Sequence, residues 1–177
     1  MKICIIGAGA MGGLYGCRLL LSGQDVQFIE RRQGAVDALK DGTYLFDGID
    51  GEHRIKAPAA TSADQLPAAD IAFIHTDSNN TRGAGEQAKA VLKPDGWAVT
   101  FQNGVGNVEA LCDVLGADRV IGGISYHSAA CPEPGHATHT NANKTWIGEL
   151  SGGSSARVEQ LRDLLVGAEF DPHIADS

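Results

Sequence analysis

The amino-terminal stretch "MKICIIGAGAMGG" constrains the fold more than any other part of the chain. Ile3–Ile6 fit a short buried strand, and the apolar positions of Met11–Leu21 fit a helix. Between them stands Gly7-x-Gly9-x-x-Gly12. In such a turn the first glycine permits the tight reversal, the second lets a ligand approach the backbone, and the third lets the helix close on the strand. The helix start then offers unpaired N–H groups and a partial positive charge, a combination that holds phosphates.

The flanking sequence strengthens this reading. Glu30 follows a second predicted strand, Val26–Ile29, and lies 23 residues after Gly7. A carboxylate at this point binds the ribose hydroxyls of NAD and repels a 2′-phosphate, whereas a neighbouring arginine accommodates that phosphate. The sequence "ERR", Glu30-Arg31-Arg32, offers both groups, so residue chemistry leaves NAD and NADP open. Arg32 is read as a solvated surface charge.

Further along, short apolar runs alternate with helical stretches. Ala35–Lys40 predicts a helix ended by Asp41-Gly42, and "TYLFDGIDGEHRIKA" predicts a hairpin through its Asp-Gly dipeptides. Asp70–Thr76 reads as a buried strand, Gly83–Leu92 as a helix stopped by Lys93-Pro94-Asp95-Gly96, and "WAVTFQ" as another strand. Asn107–Leu115 predicts a helix and Arg119–Ile124 a strand. "HATHTNANKTWIGEL" predicts two extended segments, followed by a helix over Ser154–Val166, capped by Ser154 or Ser155, and a last strand over Glu169–Ile174. Alternation with short connections predicts an α/β fold of Rossmann type, with a doubly wound, mainly parallel sheet, as a single domain over residues 1–177.

Charge narrows the partners. With 14 basic and 22 acidic residues the net charge is −8, and no basic cluster is longer than Arg31-Arg32. Nucleic acid and anionic membrane surfaces are therefore not expected partners. The opening apolar run is too short for a signal peptide, and none approaches spanning length. Cys4, Cys17, Cys112 and Cys131 form no C-x-x-C pair. A reducing, cytoplasmic setting is expected. Cys131, His136 and His139 have spacing that suggests zinc, but alternate side chains of an extended segment face opposite ways, so no metal site is expected.

The residues also resemble one family. "KICIIGAGAMGGLYGCRLLLSGQDVQFIERR", the hairpin, "FQNGVGNVEAL" and "VIGGISYHSAACPEPGHATHT...WIGE" are similar, in order, to the amino-terminal domain of ketopantoate reductases. The resemblance implies NADPH-dependent reduction of a 2-oxo acid, 2-dehydropantoate, on the route to pantothenate. It places Gly7, Ala8, Gly9, Ala10, Met11 and Gly12 at the diphosphate and Arg31 at the 2′-phosphate. Thr76 and Glu30 fall among the cofactor contacts. Asn103 lines the nicotinamide and substrate pocket, and Ala129 gives a backbone contact at the nicotinamide end. Asn103 also suits the site on its own chemistry, since it follows a strand's carboxyl end and its amide both donates and accepts.

Two departures qualify the resemblance. Asp77 stands where the family has a lysine beside the nicotinamide. The family's general acid is a lysine on a helix of an all-helical carboxy-terminal domain, and the sequence stops at "FDPHIADS" before such a helix. Isolated turnover is therefore expected to be negligible, and an uncovered sheet surface is expected to favour a homodimer. His75 and His127 are the available imidazoles, with a packed structural role favoured for both. A stand-alone dinucleotide-binding sensor module, or a dehydrogenase of another substrate, remain the alternative readings.

Overall fold

The computed structural model describes residues 1–175, so the last two residues of the expected 1–177 unit lie outside the described part. Eight strands form the main sheet. In chain order these are β1 (Lys2–Ile6), β2 (Asp25–Ile29), β5 (Ala59–Ala60), β6 (Ala69–Ile74), β7 (Leu92–Thr100), β8 (Val120–Ser125), β11 (Lys144–Glu149) and β12 (Asp171–Ile174). Their spatial order is β12-β11-β8-β7-β6-β1-β2-β5. Every neighbouring pair is parallel except β8 and β11. The chain builds outward from β1 on one side and resumes at β6 on the other. The gap between the carboxyl ends of β1 and β6 is thus the point where strand order reverses, the usual ligand crevice of an open α/β sheet.

Burial on both faces explains why the strands read as continuous apolar runs. Ile3, Ile5, Ile71, Phe73, Trp97 and Val99 face one core. Cys4, Ile6, Ala72, Ile74 and Ala98 alternate into the other. Helices α3 (Thr81–Val91) and α4 (Asn107–Leu115) cover the second face. The first face carries α1 (Ala10–Leu21) and α5 (Ala156–Gly167). Ser155 caps α5, its hydroxyl accepting from the Val158 amide at 3.2 Å. Helix α2 (Gln33–Asp41) ends at Gly42, whose φ of +80° gives the left-handed turn that "DG" announces.

A second sheet of four strands packs on α1. Its order is β4 (His53–Ile55), β3 (Tyr44–Gly48), β10 (His136–Asn141) and β9 (Ser128–Ala130). The predicted hairpin is β3–β4, paired antiparallel. Its parallel partner, β10, comes from far along the chain, so the two extended segments after residue 135 divide between two sheets. Strands β5 and β9, of two and three residues, carry no alternation to read. His127 lies in the link between β8 and β9.

Candidate functional site

A cavity of about 560 Å³ opens at the carboxyl ends of β1, β2 and β6. Of the expected cofactor residues, Gly7, Gly9, Ala10, Glu30, Arg31 and Thr76 line it. Gly7 has φ +95°, and a Cβ there would stand 2.8 Å from the His75 carbonyl oxygen. At Gly12 a Cβ would lie 1.7 Å from the Gly7 carbonyl oxygen, so the helix packs on the loop at a distance only glycine allows. Gly9 differs. Its Cβ would meet only the Arg32 guanidinium, at 3.6 Å, which leaves that backbone open to the cavity. Gly9 also caps α1 without a side chain, so the first-turn amides of the helix keep their donors for a ligand. The cradle fits a diphosphate.

Ala8, Met11 and Gly12 take no part in the cavity wall. Ala8 is fully buried; its N–H donates to Glu30 Oε2 at 2.7 Å and its carbonyl accepts from the Tyr44 hydroxyl at 3.0 Å. Those two bonds fix the loop from behind.

Glu30 is where the structure departs most from expectation. Its Oε1 accepts from the Arg32 amide and Nε, both at 2.9 Å. Its Oε2 accepts from the Ala8 amide and from Arg32 Nη2 at 3.1 Å. A carboxylate offers about four acceptor sites, and protein donors fill them here. Burial raises the Glu30 pKa, but the Arg32 hydrogen bonds and charge with the Ala8 amide outweigh it, holding the carboxyl below its ordinary range. Arg32 is therefore no free surface charge. Its fork is spent on Glu30, while Nη1 points at the Cys131 thiol, 3.7 Å away. Arg31 is exposed at the cavity rim.

The far wall comes from the residues after β6, among them Thr76, Asp77 and Asn80, and the loop after β7 buttresses it from behind. Gln102 Nε2 donates to the Thr76 carbonyl at 2.6 Å and to the Thr81 hydroxyl at 3.0 Å. Asn107 Nδ2 donates to the Asn103 carbonyl at 2.9 Å, and the Ser78 hydroxyl donates to the same carbonyl at 3.2 Å. The left-handed φ values of Gly104 and Gly106, +104° and +90°, complete this loop. Asn103 is exposed and outside the cavity wall, held by its backbone with its side chain toward solvent. Gln102 and Asn107 are the positioning groups that sequence reasoning missed, although "QNGVGN" contains both. Ala129 sits in β9 opposite His139, also outside the cavity wall. Asp77 is exposed and lines the cavity.

Neither histidine is set up as an acid. His75 packs against Tyr15 and Phe101 with centroids 4.8 and 5.8 Å away, and its buried Nε2 has no partner. Burial pushes its pKa down to about 3. His127 is pushed down to about 4 by burial, then by His139 and Arg18. At neutral pH both rings are uncharged. His136 and His139 do face opposite ways: His136 pairs with Asp47 at 3.0 Å, while fully buried His139 meets Asp50 and His127. Among the described residues, no group of three His, Cys, Asp or Glu side chains is placed to hold a metal ion. No described helix is long and apolar enough to cross a membrane.

The chain is 31% identical to a 2-dehydropantoate 2-reductase of Pyrococcus abyssi, over 100% of this chain and 57% of the relative. It is 32% identical to the enzyme of the same name from Pyrococcus horikoshii, with the same coverage of both chains. Among solved structures, a 2-dehydropantoate 2-reductase of Geobacter metallireducens superposes with a TM-score of 0.91 at 28% identity, covering 99% of this chain and 58% of that one. A D-mandelate dehydrogenase solved with NADH and anilino(oxo)acetate shares the fold, with a TM-score of 0.91 at 23% identity over 99% of this chain and 57% of that one. The chain thus spans a little over half the length of these relatives. The sequence profile of the ketopantoate reductase PanE/ApbA family matches residues 3–152, and the chain belongs to that family.

Proposed function

We propose that the chain is the dinucleotide-binding part of an oxidoreductase that reduces a 2-oxo acid such as 2-dehydropantoate with NADPH. The observation that carries this is the cradle itself: an open Gly9 backbone at a free helix terminus, sharing one cavity with Arg31 and Thr76. In this reading the amides of Gly9 and Ala10, which line the cavity, bind the diphosphate, and Arg31 meets the 2′-phosphate. Thr76 lies along the nicotinamide half, with Asn103 and Ala129 toward the substrate. The bound dinucleotide supplies a hydride to the substrate carbonyl.

The proton for that carbonyl needs a positioned acid. None of the chain's six lysines lines the cavity, and His75, which borders it with Tyr15 and Phe101 packed on its ring, is held neutral. Asp77 puts a carboxylate where an anionic keto acid approaches. These features support placing the acid outside residues 1–177, with the sheet face bearing exposed Ile124, Tyr126 and Trp146 self-associating in the isolated chain.

Titration of the 177-residue chain with NADPH and NADH tests the binding reading. Micromolar binding of a dinucleotide with negligible turnover of 2-dehydropantoate is expected. Absence of any dinucleotide binding would refute the site, and robust turnover would refute the missing acid. Light scattering at high concentration checks self-association, and a monodisperse monomer would contradict it.

A further inference from the structure

The wall of the cavity carries three charged groups in succession, Glu30, Arg31 and Arg32, and they are not equivalent. A ribose 2′-hydroxyl needs a carboxylate oxygen with a free acceptor site. Glu30 is oriented by four protein donors, two on each oxygen, and three of the four come from Arg32. The residue is 4% exposed. The Arg32 guanidinium stands 3.6 Å from where a Gly9 Cβ would be, and Arg32 and Glu30 border the cavity together. Arg31 has no such engagement and is left exposed on the rim.

Resting on the dinucleotide reading above, we propose that Arg32 is a specificity-determining residue. It occupies and neutralises Glu30, and so turns a carboxylate that would select a free 2′-hydroxyl into a neutral wall that tolerates a 2′-phosphate. Arg31 then acts as the attractive group and Arg32 as the mask over the repulsive one. A cofactor preference that "ERR" leaves open is settled by which arginine folds back on the glutamate. Opposite charges two residues apart, with the Arg32 amide also donating to Oε1, close a compact ring that the Ala8 amide then holds from the loop side.

The test is the ratio of NADH to NADPH dissociation constants, measured by calorimetry on the full 177-residue chain, for wild type, R32M and R32M/E30Q. Wild type is expected to favour NADPH. R32M exposes an uncompensated carboxylate, so the ratio should fall at least tenfold, mainly through weaker NADPH binding. R32M/E30Q removes the carboxylate charge as well and should return to within about threefold of the wild-type ratio. A purely structural role for Arg32 would weaken both dinucleotides together and leave the ratio within twofold, which would overturn the proposal. Should R32M unfold by circular dichroism, the double variant alone decides, because collapse of its ratio is equally fatal. A wild-type preference for NADH would overturn the proposal while leaving the dinucleotide site intact. Failure of wild type to bind either dinucleotide would instead overturn the site reading beneath it.

Discussion

Two carboxylate–arginine pairs brace α1 from its two ends, and they do different work. Glu30–Arg32 lies at the helix start, where Glu30 also takes the Ala8 amide of the glycine loop. Asp50–Arg18 lies toward the helix end, where Asp50 also takes the ring of His139, 2.5 Å away. The first pair is local and borders the cavity, and its arginine side chain keeps 35% of its exposure. In the second pair both side chains are deeply covered, at 10% and 14%. Arg18 also stacks over Phe170, 4.9 Å from its centroid. Asp50 can only accept, so His139 Nδ1 donates to it, while His139 Nε2 lies 3.1 Å from both His127 Nδ1 and the Asn141 carbonyl. His127 Nε2 ends the chain without a partner. One pair shapes the cavity wall; the other joins the small sheet to the helix beneath it.

That contrast predicts unequal costs. Asp50→Ala strands a buried guanidinium and a fully buried imidazole, and should cost about 3–5 kcal/mol in urea unfolding without altering the NADPH-to-NADH ratio. Glu30→Ala leaves one buried amide unpaired, but Arg32 can rehydrate at the rim. Its stability cost should be smaller, about 1–3 kcal/mol, while dinucleotide binding changes. If Glu30→Ala proved the more destabilising of the two, the division between a site pair and a joint pair would fail. Within the glycine loop the same logic separates neighbours. Gly12→Ala forces a Cβ against the Gly7 carbonyl and should cost about 1–3 kcal/mol. Gly9→Ala should leave stability nearly unchanged and act on dinucleotide binding alone, as measured by thermal melting beside a titration.

The two pairs also mark how far sequence reasoning reaches. Glu30 and Arg32 are close in sequence, so "ERR" shows the ingredients, although not that Arg32 would turn inward. Arg18 and Asp50 are 32 residues apart and His139 a further 89 beyond Asp50. Nothing local connects them until α1 and the small sheet are packed. The same distinction runs through the fold. Glycine spacing, apolar runs and Asp-Gly turns are local signals, and they place β1, α1, β2, the hairpin and the end of α2. The parallel pairing of β3 with β10 depends on topology and left no local trace. At the site, the resemblance pointed to Asn103 and Ala129. The residues that hold the loop behind them are Gln102 and Asn107, whose hydrogen bonds become visible only when the ends of β6, β7 and α4 come together.

The smallest expected effect concerns acid, and it sharpens the comparison because His75 stands outside both ion pairs, whereas His127 reaches the Asp50–Arg18 pair through His139. His75 and His127 have folded pKa values near 3 and 4, while an unfolded imidazole titrates near 6.5. Between these values the unfolded chain binds protons that the folded chain refuses, so stability rises with pH across this window. It is complete above about pH 6.5 and declines as pH falls toward 4 for His127 and toward 3 for His75. The loss starts well above the range where lowered carboxylates such as Glu30 and Glu149 begin to protonate. His75→Phe keeps a ring among Tyr15, Phe73 and Phe101 and removes an unpartnered nitrogen. Its stability at pH 7 should change by less than about 1.5 kcal/mol, and its midpoint of acid unfolding, followed by circular dichroism, should move to lower pH. An unchanged midpoint would mean that His75 takes up its proton within the folded chain from its cavity side, despite the Tyr15 and Phe101 rings packed on it.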